Sequence, residues 1–191
     1  MAKLVSILMP TRGPVDGLIK ALRSIKSTAS DYSQVEVLLR MDSDDSARIG
    51  LWSNLKDLFD VRVIIGQRGR GYLDMGRFID DLVAVADSQW CWLFDDDAWV
   101  EGNTWQEQIA ATVCDPENGP ALNSQFYKLG GSTYNNSKDG GPVGLIVPTA
   151  FAKGLEHRNP VDQQWLDVLL SKGWKINQLK GVIYQHEGRP R

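Results

Sequence analysis

Short apolar runs that stop abruptly at polar clusters, each followed by a helical stripe, constrain this chain more than any other feature. Val5-Ser6-Ile7-Leu8-Met9, stopped by Pro10, reads as a buried strand. Val15, Leu18, Leu22 and Ile25 then fall on one face of a helix, with Pro14 suited to its first turn. Val35 to Met41 predicts a second strand, ended by the acidic turn Asp42-Ser43-Asp44-Asp45-Ser46, and a short helix follows through Leu51, Leu55 and Leu58. Val61 to Ile65 predicts a third strand, with a Gly/Arg loop from Gly66 to Gly71 after it. Met75, Phe78, Leu82 and Val85 give another helical stripe, and Trp90 to Phe94 a fourth strand running into Asp95-Asp96-Asp97. This β-α alternation implies an α/β fold with a largely parallel central sheet flanked by helices. Ligands collect at the carboxyl ends of such strands. Thr11-Arg12, Asp42 to Asp45, Gly66 to Gly71 and Asp95 to Asp97 all fall there.

The second half is less regular. Asn103 to Val113 predicts a helix, Ala121 to Leu129 a strand, residues 130–142 (GGSTYNNSKDGGP) a mobile loop, and Val143 to Val147 another strand. Trp165, Leu166, Leu169 and Leu170 share a helix face ending before Gly173, and Lys175 to Leu179 with Val182 to Gln185 suggest a closing pair of strands. No repeat, linker or low-complexity tract divides the 191 residues, so one domain is expected. A hydrophobic fraction of 42% and a charged fraction of 24% exclude a collagen-like, coiled-coil or disordered chain. The net charge of −3 makes a nucleic-acid partner unexpected, since backbone binding calls for a basic excess. No apolar stretch has the length of a membrane span, the N-terminus lacks a signal-peptide layout, and Cys91 and Cys114 form no C-x-x-C pair; a reduced, cytoplasmic location is the default. Of the seven tryptophans, most read as core and one or two as a platform for a sugar ring.

Three adjacent carboxylates repel one another unless a cation or solvent relieves them. Carboxylate oxygens suit Mg²⁺ or Mn²⁺, so Asp95, Asp96 and Asp97 form a candidate cation site, with a solvated acidic turn as the plain alternative. Asp74 stands where a dinucleotide fingerprint starting at Gly69 needs its third glycine, and no P-loop pattern occurs. Arg68 and Arg70 are candidates for gripping a diphosphate, against the alternative of an exposed basic turn. His186, after the last strand, has an imidazole that can complete a carboxylate site on Mn²⁺; a satisfied hydrogen-bonding residue is the alternative. His157 shows no partner in its polar stretch. Asp162 stands at a helix start, favoured there as an N-cap or first-turn acid, and the same carboxylate can serve as a general base.

Taken together, these pieces resemble the GT-A glycosyltransferases, particularly the family-2-like enzymes. The opening Val5-Ser6-Ile7-Leu8-Met9-Pro10-Thr11-Arg12-Gly13 is similar to the family's first strand and nucleotide loop, which implies donor contacts from Pro10, Thr11 and Arg12. Asp42 matches the acid that in the family contacts the base or ribose of the sugar nucleotide. Trp92-Leu93-Phe94-Asp95-Asp96-Asp97 looks like the D-x-D motif after a hydrophobic strand, which implies metal and donor roles for Asp95 and Asp97, with Asp96 also on the donor side. Val161-Asp162-Gln163-Gln164-Trp165, followed by Leu169 and Gly173-Trp174-Lys175-Ile176, is similar to the acceptor-side helix that begins with the catalytic acid. The resemblance implies Asp162 as base and His186 as a late metal ligand. It runs from Leu4 to about Gly188 and divides a single GT-A domain into a nucleotide-sugar half, 1–100, and an acceptor half, 101–191. Two departures stand out: the family more often has an acidic pair at Val161-Asp162, and the chain is short for the family, as a minimal enzyme or one that borrows its acceptor site would be.

The expectation is a metal-dependent glycosyltransferase that moves a sugar from a nucleoside-diphosphate sugar, UDP-sugar favoured, to a hydroxyl of a carbohydrate or small-molecule acceptor. Mn²⁺ (or Mg²⁺) on Asp95, Asp97 and His186 would stabilise the leaving diphosphate, with Arg12, Arg68 or Arg70 as a second counter-charge. Through the resemblance alone the reaction is inverting, with Asp162 taking the acceptor proton, and the 130–142 segment is a candidate lid. Two rivals remain: a non-catalytic sugar- or nucleotide-binding module, and a nucleotidyltransferase. The latter usually carries a glycine-rich loop after the first strand, for which Pro10-Thr11-Arg12-Gly13-Pro14 is a poor substitute.

Overall fold

The computed structural model describes residues 3–12, 15–129, 132–135 and 143–186. Four strands open the fold: β1 (Lys3–Thr11), β2 (Val35–Asp42), β3 (Val61–Gly66) and β4 (Ser88–Leu93). Between them lie α1 (Val15–Thr28), α2 (Ser46–Phe59) and α3 (Met75–Val85). Then follow β5 (Ala98–Glu101), α4 (Trp105–Ala110), β6 (Ala121–Leu129), β7 (Ser132–Asn135), β8 (Ile146–Pro148), α5 (Thr149–Lys153), α6 (Val161–Ser171) and β9 (Ile176–His186). The sheet runs β3-β2-β1-β4-β8-β6-β9-β5, with β7 added on β6.

The first four strands pair in parallel throughout, as their crossover helices require. Beyond β4 the pairing is mixed: β8 is antiparallel to β4 and β6, β9 is parallel to β6, and β5 is antiparallel to β9. Strand alternation sorts the core into two layers. Val5, Ile7 and Met9 of β1 face Leu18, Leu22 and Ile25 of α1 and Phe59 of α2, whereas Leu8 faces Ile79 and Leu82 of α3 with Trp165 and Leu169 of α6. Helices therefore cover both faces and leave the strand ends open.

Several expectations change in detail. β1 continues through Pro10, which lies past the last residue paired with β4, Leu8↔Leu93. Leu58 and Leu170 stand 57% exposed, and Phe59 turns inward in place of Leu58. The helix expected over 103–113 is only Trp105–Ala110, and the closing pair of strands is the single strand β9. Of the expected 130–142 loop, 132–135 form β7; the remainder, and with it the lid expectation, lies outside the described residues, as do Gly13 and Pro14. Among the described residues no helix is long and apolar enough to cross a membrane.

Candidate active site at the strand ends

The parallel order brings the carboxyl ends of β1, β2 and β4, and so Thr11-Arg12, Asp42 and Asp95-Asp96-Asp97, to one edge of the sheet. Two adjoining cavities open there. The larger, about 440 Å³, is lined by Asp95, Asp96, Asp97, Asp162 and His186, with Tyr72 and Phe94 in its walls. The smaller, about 180 Å³, is lined by Thr11, Arg12, Arg40, Asp42 and Phe78. Pro10, Tyr72, Met75 and Asp96 line both.

The three adjacent carboxylates do not share one environment. Asp96 turns inward: its Oδ2 accepts from Thr11 Oγ1 at 2.6 Å and from the Arg12 backbone N–H at 3.1 Å. The buried Arg48, from the first turn of α2, lies 3.7 Å from that oxygen and donates to Thr11 Oγ1 at 2.9 Å. Asp96 thus joins the ends of β1 and β4, with Arg48 balancing its charge.

Asp95 and Asp97 meet β9 instead. Tyr184 and His186 are two residues apart on that strand and so share a face. Tyr184 Oη donates to Asp95 Oδ2 at 3.0 Å, and His186 Nε2 lies 2.8 Å from Asp97 Oδ1 and 3.9 Å from Asp95 Oδ2. Desolvation raises the Asp95 pKa, opposed by His186 and the Tyr184 hydrogen bond, although half of the side chain faces the open cavity. Burial also holds the Tyr184 hydroxyl well above its ordinary value, so it stays protonated and remains a donor.

Two carboxylates and an imidazole converging within 4 Å form a donor set whose chemistry suits Mn²⁺ or Mg²⁺. Among the described residues no group of three or more His, Cys, Asp or Glu side chains is arranged to hold a metal ion as it stands. His186 Nε2, the nitrogen that would face a cation, contacts Asp97 directly.

Asp162 reaches the larger cavity from the first turn of α6. The N-cap is Pro160, so Asp162 is a first-turn acid, and its Oδ1 accepts from the Gln163 N–H at 2.9 Å. The segment before α6 is fastened to the start of α3. Asn159 Oδ1 accepts from the Gly76 N–H at 2.7 Å, and its Nδ2 donates to the Tyr72 carbonyl. His157 finds the partner the sequence did not show: Nδ1 is 2.6 Å from Asp80 Oδ1, and the ring lies against Trp165.

The arginines divide. Arg12 bridges Asp42 and, at 3.3 Å, Asp44; Arg68 pairs with Asp44 at 2.9 Å. Arg70 forms a fork with Asp74, which draws that carboxyl down to about 2. Arg68 and Arg70 line neither cavity, whereas Arg12 does, together with Arg40, a residue the sequence reading passed over as part of an apolar strand. Arg12 and Arg40 each donate to Asp42; burial alone would raise its pKa, and the two guanidiniums hold it below the ordinary carboxylate value. No tryptophan lines either cavity, so the sugar-platform expectation finds no candidate there, and the aromatic surface comes from Tyr72, Phe78 and Phe94.

The sequence profile of glycosyl transferase family 2 matches residues 6–164. No curated protein matches the chain in sequence. Among solved structures the fold is similar to that of S. aureus TarS 1-349 in complex with UDP-GlcNAc, with a TM-score of 0.74 and 14% identity over 98% of this chain and 59% of that one. It is also similar to the mannosyltransferase PcManGT from Pyrobaculum calidifontis in complex with GDP-Man and Mn²⁺, with a TM-score of 0.68 and 10% identity over 100% of this chain and 59% of that one. The chain thus spans about three fifths of each of these relatives. At such identities the likeness shows the GT-A fold.

Proposed function

The chain belongs to glycosyl transferase family 2, and we propose that it is a metal-dependent glycosyltransferase that takes a nucleoside-diphosphate sugar, with UDP as nucleotide, and transfers the sugar with inversion to an acceptor hydroxyl. One observation carries the reading: Asp95, Asp97, His186 and Asp162 line a single cavity that shares a wall with the pocket of Asp42 and Arg12. That is the arrangement needed to hold a donor across two compartments, nucleoside in the smaller and diphospho-sugar in the larger. The similar structures hold UDP-GlcNAc and GDP-Man with Mn²⁺, which supports the donor class.

In this reading Asp42 accepts a hydrogen bond from the nucleoside, its ionised state secured by Arg12 and Arg40. Asp95, Asp97 and His186 would hold Mn²⁺ or Mg²⁺, and the bound ion would supply Lewis-acid stabilisation of the departing diphosphate. Asp162 accepts the proton of the acceptor hydroxyl as it attacks the anomeric carbon. Residues 1–100 then supply the donor side, joined by His186 at the cation, and the rest of 101–191 the acceptor side of one domain.

Calorimetric titration of UDP, with Mn²⁺ and again with EDTA, tests this. Binding that needs both the metal and Asp97, lost in Asp97→Asn, is the expected result. Failure of both UDP and GDP to bind under every condition would overturn it.

A further inference from the structure

Arg40 is an arginine inside a strand, 2% exposed. A buried guanidinium is costly unless its donors are satisfied. Each of its three nitrogens has a partner: Nη1 donates to Asp42 Oδ1, Nη2 to the Gln67 carbonyl, and Nε to Asp81 Oδ2 at 3.3 Å. The guanidinium also lies over the Phe78 ring, 4.2 Å from its centroid. These contacts tie β2, the 66–71 loop and α3 together in the wall of the smaller cavity.

The glycines of that loop fit the same arrangement. A Cβ on Gly66 would stand 2.6 Å from Arg40 Nη2 and 3.0 Å from its Nε and Cζ. A Cβ on Gly69 would stand 2.6 Å from Phe78 Cε1. The loop that fails as a phosphate-binding fingerprint thus carries two of its glycines where the Arg40–Phe78 stack needs room.

We propose that Arg40 is a positioning residue for nucleotide recognition: it fixes the Asp42 carboxylate in its binding orientation, and Gly66 is there to make room for it. Arg40 acts through Asp42, because its side chain is 2% exposed and all three of its nitrogens already donate to protein atoms, Asp42 among them. Lysine does not replace it, since one ammonium cannot hold three partners lying in a guanidinium plane. The proposal rests on the donor-site reading above.

The test compares the wild-type chain with Arg40→Lys, Gly66→Ala and Asp81→Asn. Gly66→Ala leaves every charge in place and acts only by crowding the guanidinium. Asp81 is 36% exposed at its side chain, so Asp81→Asn is the mild variant that keeps the fold. UMP and UDP are titrated calorimetrically in excess Mn²⁺, with far-UV circular dichroism as the folding control. Both nucleotides are expected to lose affinity by the same factor, ~10-fold in the first two variants and ~3-fold in Asp81→Asn, the scale of one weakened charge-assisted hydrogen bond. In Arg40→Lys the acid limb of UMP affinity also moves to higher pH, because Asp42 loses a guanidinium. The UMP phosphate titrates alike in every protein, so only the difference from wild type counts. Wild-type affinity and an unmoved acid limb in the folded variants overturn the role of Arg40. If the wild type binds neither nucleotide, the donor-site reading falls, and this proposal with it.

Discussion

The hydroxyl of Tyr184 accepts a hydrogen bond from the Asp95 backbone N–H at 2.8 Å and donates one to Asp95 Oδ2 at 3.0 Å. A hydroxyl has one proton, so a tyrosine that accepts from the N–H must direct that proton at the carboxylate. The pair fixes the Asp95 side chain relative to its own backbone and leaves Oδ1 for other partners. Tyr184→Phe removes both bonds and strands a backbone N–H, at a cost of about 1–3 kcal/mol. A fall in Tm of several degrees follows for a chain of this size. Mn²⁺-dependent UDP affinity should fall ~10-fold, because the damage reaches the carboxylate proposed to hold the cation. Melting curves and titrations identical to wild type would show that the hydroxyl positions nothing.

Asp42 gives the clearest pH signature. Its folded pKa is lowered from 3.8, burial being outweighed by Arg12 and Arg40. A depressed carboxylate contributes stability that is fully present above the unfolded pKa and lost as pH falls through the folded value. Comparison of Asp42→Asn with wild type by thermal melting should therefore show a Tm gap that is constant from pH 7 to about 5 and narrows below pH ~4. A gap independent of pH down to 3 would mean that the ionised carboxylate is not what the arginines stabilise.

Gly76 and Gly50 should respond to alanine in opposite directions. A Cβ on Gly76 would lie 2.9 Å from the carbonyl carbon of His157 and closer still to its oxygen, and backbone cannot swing aside as a side chain can. Gly76→Ala would push α3 away from the segment that leads into α6, costing about 2–3 kcal/mol. A Cβ on Gly50, inside α2, meets nothing within 4 Å. Gly50→Ala should stabilise by about 0.5–1 kcal/mol, the helix-propensity difference. Chemical denaturation of the two variants measures both signs.

What the sequence made legible follows from burial. β1, β2 and β4 are apolar because both of their faces are covered, and their polar ends mark the edge where ligands collect, so that edge could be read from pattern alone. β5 escaped because Ala98–Glu101 is short, with three apolar residues directly after the acidic triplet. β9 looked like two strands because Lys180-Gly181 resembles a turn. The structure instead has a bulge there: Gly181 adopts φ 73°, and the pairing with β6 shifts register between Ser124 and Phe126.

The site divides on the same line. Asp42, Asp95, Asp97, Asp162 and His186 reveal themselves as polar residues at element ends. Tyr184 and Arg40 stand inside strands, where a pattern of apolar positions predicts packing and is blind to a hydroxyl or guanidinium aimed at a neighbour. Arg68 and Arg70 show the converse: sequence supplied their charge but not Asp44 and Asp74, which take it up.

Asp162→Asn separates an enzyme from a binding module on the same fold. Asp162 lines the larger cavity but not the smaller one with Asp42 and Arg12, so its charge bears on the sugar and acceptor rather than on the nucleoside. Asparagine keeps the side chain's size at the first turn of α6 and its capacity to accept from the Gln163 N–H, so the fold and the UDP affinity should stay close to wild type. A general base contributes about 10²–10⁴-fold, and the amide cannot take a proton. Transfer from a UDP-sugar, screened with simple carbohydrate acceptors, should fall within that range while the KM for the donor holds. Unchanged turnover would remove Asp162 as the base and, with it, the support for inversion. Unchanged UDP binding in a wild-type chain that never turns over any donor would identify a sugar-nucleotide-binding module that keeps the carboxylates for affinity alone.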